Sequence, residues 1–239
     1  MSERAQTIMI YWGLIFMWSY GAVLWGMLDM MPPPTATLTP EQVAAFYADN
    51  NLSIRLGAVM ASWISAFMVP IAVVISLQMR RLENGIPAWS ILQFAGGIMM
   101  SLFLVLPPLF WGVAAFSPER MPEVTALMHE LGTLTLVTTD QYFIFQMVPI
   151  AYISLTQKVD VDSPFPRWIG YFTIWAALMF EVGALAFIPK TGPFAWNGLL
   201  VYWFPLSIFG VWVTVLSVSL LKAIGRQRRA AAAENPVAV

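Results

Sequence analysis

Two membrane-length apolar runs of this chain carry the same five-residue phrase. Met68-Val69-Pro70-Ile71-Ala72 returns as Met147-Val148-Pro149-Ile150-Ala151, 79 residues later. At the same displacement Gln78 matches Gln157, Pro87 matches Pro166 and Trp89 matches Trp168. A register held over that length points to a duplicated structural unit. The runs are long enough to cross a bilayer as helices, so the unit is a membrane hairpin.

Composition agrees with a membrane chain. Of 239 residues, 59% are hydrophobic and 10% charged, against about 25% charged in an ordinary soluble domain. The absence of cysteine excludes disulfides, thiolate metal sites and cysteine catalysis. A net charge of −1 lacks the basic face that nucleic-acid binding requires. No long charged or low-complexity stretch is available for a separate soluble domain. Residues 1–225 therefore read as one transmembrane domain, and 226–239 as a cytoplasmic tail, basic then Ala-rich and flexible.

Runs of about 20 apolar residues give six spans. They are Ile8–Leu28, Ile54–Leu77, Trp89–Trp111, Leu131–Leu155, Trp168–Pro189 and Leu199–Leu221. The first carries Trp12, Trp18 and Trp25 and no small-x-small cleavage site, so it reads as an uncleaved span rather than a signal peptide. With the N-terminus inside, the inner segments hold Arg4, Arg80, Arg81, Lys158, Arg167, Lys222, Arg226, Arg228 and Arg229. The outer segments hold only Arg55, Arg120 and Lys190. That bias favours six crossings with both termini cytoplasmic. Trp89, Trp111, Trp168 and Trp196 stand near span ends, where interfacial anchors belong.

The expected fold is thus an all-α, six-span bundle of three tandem two-helix hairpins. Each returning span has an interior proline, at Pro70, Pro149 and Pro205, and these kinks can open a central space. Two outer loops repeat a capping pattern, Thr39-Pro40-Glu41 and Ser117-Pro118-Glu119. Short helices are expected at Pro40–Asp49 and Met121–Glu130, the first lying on the outer membrane surface through Val43, Ala44, Phe46 and Tyr47. Gly96-Gly97 reads as a close helix contact. Gly192 through Gly198 reads as a compact outer turn.

Two carboxylates lie inside apolar spans, Asp140 and Glu181. Counting from the outer span ends places both about 12–14 Å deep on consecutive helices. An acid at that depth is a functional hypothesis by default. Three readings stand side by side: a proton- or cation-coupling pair in a carrier, a general acid and base acting on a lipophilic substrate, or protonated structural acids donating to a carbonyl freed by Pro149 or to Thr135, Thr139 or Ser207. Thr135, Thr139, Tyr142 and Gln146 form one helical stripe that either lines a cavity or joins helices. Arg55, at the outer mouth of its span, either reaches toward Asp140 or marks the interface. The candidate ligand- or proton-binding residues are therefore Asp140, Glu181, Gln146, Tyr142, Thr139 and Arg55. His129 is the only histidine and reads as a solvated residue of the outer helix. No metal or cofactor is expected.

The stretch from Phe165-Pro166-Arg167-Trp168 to Lys190-Thr191-Gly192-Pro193-Phe194-Ala195-Trp196-Asn197-Gly198 resembles a group of uncharacterised bacterial multi-pass membrane proteins. Pro32-Pro33-Pro34, Met79-Arg80-Arg81 and Phe116-Ser117-Pro118-Glu119-Arg120 fit the same pattern. The resemblance implies a bacterial inner-membrane protein and carries over no site residues. The leading functional expectation is a protein that binds or moves a small lipophilic solute. The alternatives are a cofactor-free membrane enzyme using the same acids, or an accessory subunit. Expected partners are the lipid bilayer, a lipophilic small molecule and another membrane protein.

Overall fold

The computed structural model describes residues 1–157 and 163–234. Lys158, counted above among the inner basic residues, lies outside that set, as do residues 235–239 of the tail. Every regular element described is helical. In chain order they are α1 (Glu3–Gly26), α2 (Pro40–Asp49), α3 (Asn51–Ile64), α4 (Met68–Arg80), α5 (Ala88–Phe116), α6 (Pro122–Thr138), α7 (Ile144–Thr156), α8 (Arg167–Phe180) and α9 (Phe204–Glu234). Three irregular pieces stand between them. These are 3₁₀ segments at Asp140–Phe143 and Glu181–Phe187, and a π turn at Leu199–Trp203. α9 runs unbroken past residue 225, so residues 226–234 extend the last helix.

Among the described residues, five stretches are long and apolar enough to cross a membrane: Glu3–Gly26, Asn51–Arg80, Ala88–Phe116, Arg167–Phe187 and Leu199–Ala233. The expected span at Leu131–Leu155 is instead interrupted. α6 stops at Thr138, the 3₁₀ segment intervenes, and α7 resumes at Ile144. Both halves pack along α5.

Proline chemistry accounts for two of the helix breaks, those before Pro70 and Pro205. A proline offers no N–H to the carbonyl four residues earlier and crowds it. Ahead of Pro70 the helix opens at Ser65–Phe67, and the Ala66 carbonyl accepts from the Val69 amide instead, at 3.1 Å. Ahead of Pro205 the π turn holds Val201, whose carbonyl that proline leaves without an N–H; Pro149 sits inside α7, and the Phe145 carbonyl it deprives lies beyond the Asp140–Phe143 segment. α5 runs unbroken through Pro107 and Pro108, and at Pro108 a side chain makes good the loss. The Leu104 carbonyl, four residues before Pro108, accepts from the Tyr20 hydroxyl at 2.8 Å.

The duplicated phrases occupy like positions. In each, Met, Pro, Ile and Ala are buried and Val is the more exposed. Pro87 and Pro166 each stand immediately before the next long helix, α5 and α8. The paired glutamines differ: Gln78 joins α1 and α9 through Gln6 and Gln227, whereas Gln157 donates to Ser163 and the Phe165 carbonyl.

The Thr39 cap forms as expected. Its hydroxyl accepts from the Gln42 amide, and the Gln42 side chain accepts from the Thr39 amide at 2.9 Å. The parallel expectation at Ser117 is corrected. Ser117–Arg120 is a turn closed by the Arg120 amide, and the helix begins one proline later, at Pro122, running straight into α6. α2 is corrected too, because Val43 and Tyr47 bury against α6 rather than lying on lipid. Trp111 and Trp196 are buried in protein rather than anchored at an interface.

Gly96 and Gly97 bring α5 against α7. A Cβ on Gly96 would stand 2.5 Å from the Gln146 amide nitrogen and 2.6 Å from the Phe145 carbonyl carbon, both main-chain atoms that cannot swing aside. Gly21, in α1, has open space at the same position. Gly96→Ala is expected to destabilise by about 1–3 kcal/mol through overpacking. Gly21→Ala should be neutral or slightly stabilising. Thermal unfolding of both variants in detergent checks the contrast.

Candidate functional site

The three irregular segments converge. The Asp140–Phe143 and Glu181–Phe187 segments touch, and the latter also meets the π turn at Leu199–Trp203. Their meeting point borders a cavity of about 60 Å³. Its walls are almost wholly apolar, with Leu104, Phe143, Phe180, Val201 and Phe209 prominent, and Asp140 is the one ionisable acid among them. Phe143, Phe180 and Phe209 close the α7 side of this space as mutually touching rings, with centroids 5.3–6.5 Å apart.

Asp140 is 5% exposed. The Gln141 backbone offers an N–H to its carboxylate. Oδ1, however, has no hydrogen-bond partner among the described residues. The carboxylate lies directly on the backbone of Gly183. A Cβ there would come within 2.2 Å of both Oδ1 and the Val137 carbonyl oxygen. Gly183 thus lets the second 3₁₀ segment approach the acid as closely as main chain can, the common use of glycine at sites of close approach. Tyr202 also lines the cavity; its hydroxyl donates to the Met30 carbonyl at 2.5 Å, tying the π turn to the loop that follows α1.

The other candidates separate. Glu181 sits two residues before Gly183 and within electrostatic range of Asp140, but its side chain is exposed on the outside of the bundle. The two acids are neighbours without sharing a cavity. The expected stripe does not form, because 3₁₀ winding advances about 120° per residue instead of about 100°. Over Asp140–Phe143 that shift turns Tyr142 outward, against Phe103 at 5.0 Å, while Gln146 is fully buried. Thr139 turns its hydroxyl back to the Thr135 carbonyl at 2.6 Å. The Gln146 amide has neither polar atom partnered among the described residues and lies beside Gly97 and Ala72, outside the Asp140 cavity. Arg55 is far from the acid, on an exposed face where its guanidinium covers the Phe116 ring at 5.5 Å.

Sequence reasoning missed Gly183, Tyr20 and Tyr202. A glycine two residues after an intramembrane acid was the available signal for the first. The carbonyl freed by Pro108 was the signal for Tyr20.

It also misplaced His129, which is 1% exposed rather than solvated. His129 stands in the first half of α6, where Tyr47 of α2 shares a hydrogen bond with its Nδ1 at 3.0 Å, and Trp196 packs edge-on against the ring at 5.7 Å. The Trp196 indole in turn donates to the Pro34 carbonyl at 2.7 Å. One histidine therefore joins three outer segments. Among the described residues no group of three or more His, Cys, Asp and Glu side chains is placed to hold a metal ion.

No protein-family model matches this chain, and comparisons with curated proteins and with solved structures found no significant match.

Burial pushes the His129 imidazole down from 6.5 to about 4. The unfolded chain then binds the proton more readily than the folded one below pH 6.5. Stability is expected to be level above that pH and to fall between about 6.5 and 4, by on the order of 3 kcal/mol. Unfolding midpoints in detergent at several pH values should show this slope, and His129→Gln should flatten it.

Proposed function

We propose that this chain is a multi-pass membrane protein that binds and moves a small solute at a centre built on Asp140. The observation that carries the reading is an unpartnered carboxylate oxygen, buried where three interrupted helical segments meet. Hydrocarbon tolerates irregular backbone only where it is buried in protein or lines a cavity. Interrupted helices near mid-membrane are the usual framework of solute sites in transporters. An acid there has a cost that an apolar residue would avoid, so its retention calls for a task.

The dimensions narrow the solute. About 60 Å³ is roughly two waters' share of liquid volume, well short of the ~150 Å³ that admits benzene. Apolar walls and one carboxylate suit a compact solute with a cationic or hydrogen-bond-donating group. A larger lipophilic solute requires the walls to part, and the interruptions before Pro149 and Pro205 supply the hinges.

The same reading takes the α6–α7 segment as a sixth crossing, since both halves follow α5. Six crossings place both termini on the basic, cytoplasmic side. The duplicated phrase, its matching burial and its matching proline turns support tandem hairpins. A bacterial inner membrane is the setting that this topology and the sequence resemblance favour.

Asp140→Asn tests the centre, because it keeps the shape and removes the charge. Native mass spectrometry of protein extracted from its own membrane should show a small-molecule adduct on the wild type and about a tenfold loss in the variant, with stability kept or raised. A wild type that carries only protein partners, with a variant indistinguishable from it, rejects the reading.

A further inference from the structure

A second candidate lies on an exposed face of the bundle, apart from Asp140. Between α3 and α5 runs a surface groove of about 480 Å³. Leu56 and Val59 of α3 face Leu109 and Val113 of α5 across it. Its floor is tight: a Cβ on Gly112 would stand 2.8 Å from the Ala58 Cβ, so the helices touch there. The one hydroxyl along the groove, Ser62, donates to the Ala58 carbonyl at 2.7 Å. From Arg55 to Ser62 the groove descends about 10 Å, a third of the hydrocarbon thickness of ~30 Å.

The groove is apolar along its length and cationic at its mouth. Arg55 lines it, held over the Phe116 ring. Arg120 reaches the same end, donating Nη1 to the Val113 carbonyl at 2.9 Å. A guanidinium has five N–H donors, so one such bond leaves most of that fork available. Neither arginine has a carboxylate partner among the described residues. Only three basic residues belong to the outer segments, and two of them meet here.

We propose that this groove binds one acyl chain of an anionic phospholipid, with the phosphate held by Arg55 and Arg120. Arginine matches phosphate geometrically through paired N–H donors, and stacking on Phe116 holds one fork ready. The apolar walls have no use for a free anion, whereas an acyl chain below its headgroup fills wall and mouth together.

The test is native mass spectrometry of the detergent-purified full chain, titrated with phosphatidylglycerol and phosphatidylcholine of identical chains. Each arginine near the surface contributes about fivefold in affinity for an anionic lipid. The wild type should therefore prefer phosphatidylglycerol by about 25-fold, and the double variant Arg55→Gln, Arg120→Gln should lose that preference. Lys190→Gln should keep it. Val59→Trp, which fills the groove and leaves both arginines, should also weaken phosphatidylglycerol binding several-fold. Equal binding of the two lipids by the wild type overturns the proposal. So does an unaltered preference in the double variant, or full binding by Val59→Trp, which would reduce the effect to surface charge. All four positions are at the surface, so unchanged thermal unfolding is expected to certify each variant.

Discussion

A main-chain carbonyl that loses its helical partner in hydrocarbon has no water to turn to, and the architecture of this chain follows from where that happens. Tyr20 answers the Leu104 carbonyl across the bundle, and α5 stays whole as the long post beside which other helices pack. Ahead of Pro70 and Pro205 the backbone itself rewinds, into the open turn at Ser65–Phe67 and the π turn at Leu199–Trp203, and 3₁₀ winding interrupts a third helix at Asp140–Phe143. Each rewinding is tolerable only against protein. That requirement draws the last two together with the Glu181–Phe187 segment and creates the small cavity between them.

Asp140 is placed by that geometry rather than added to it. The 3₁₀ turn aims the carboxylate inward, and Gly183 removes the only atom that would keep the facing main chain away. The resulting acid is enclosed by phenylalanine and leucine, with one oxygen lacking a partner. Packing is tight at Gly96 and Gly97, and the helix is interrupted at Asp140. A solute site needs both, since stiff elements hold the determinant in place and hinged ones admit the ligand.

Much of this was legible in the sequence. Hydropathy located the long helices because an apolar run must be a helix in lipid, and the Thr39 cap located α2 to the residue. Asp140 and Glu181, expected on consecutive helices, stand on segments that touch. The illegible part has specific causes. A helical stripe assumes constant winding, so Tyr142 and Gln146 were put on one face that four 3₁₀ residues divide. His129 and Trp111 are buried by partners distant in sequence, Tyr47 and Trp196 for one and Gly132 for the other. Ser117-Pro118-Glu119 resembled a cap, but the proline at 122 offered a competing start and prevailed. Exposure of Glu181 depends on how α8 is rotated, which a nearly uniform apolar sequence does not specify.

We propose that an interrupted helix presents the Asp140 carboxylate to a small solute site. A density map of the full chain in lipid nanodiscs, at a resolution that shows side chains and small bound molecules, tests it most directly. The account predicts 3₁₀ winding at Asp140–Phe143, the carboxylate against Gly183, and density for a solute or ordered water within hydrogen-bonding reach of Oδ1. A continuous α-helix through residue 140, with the carboxylate turned to lipid or bonded to a protein side chain, would contradict it.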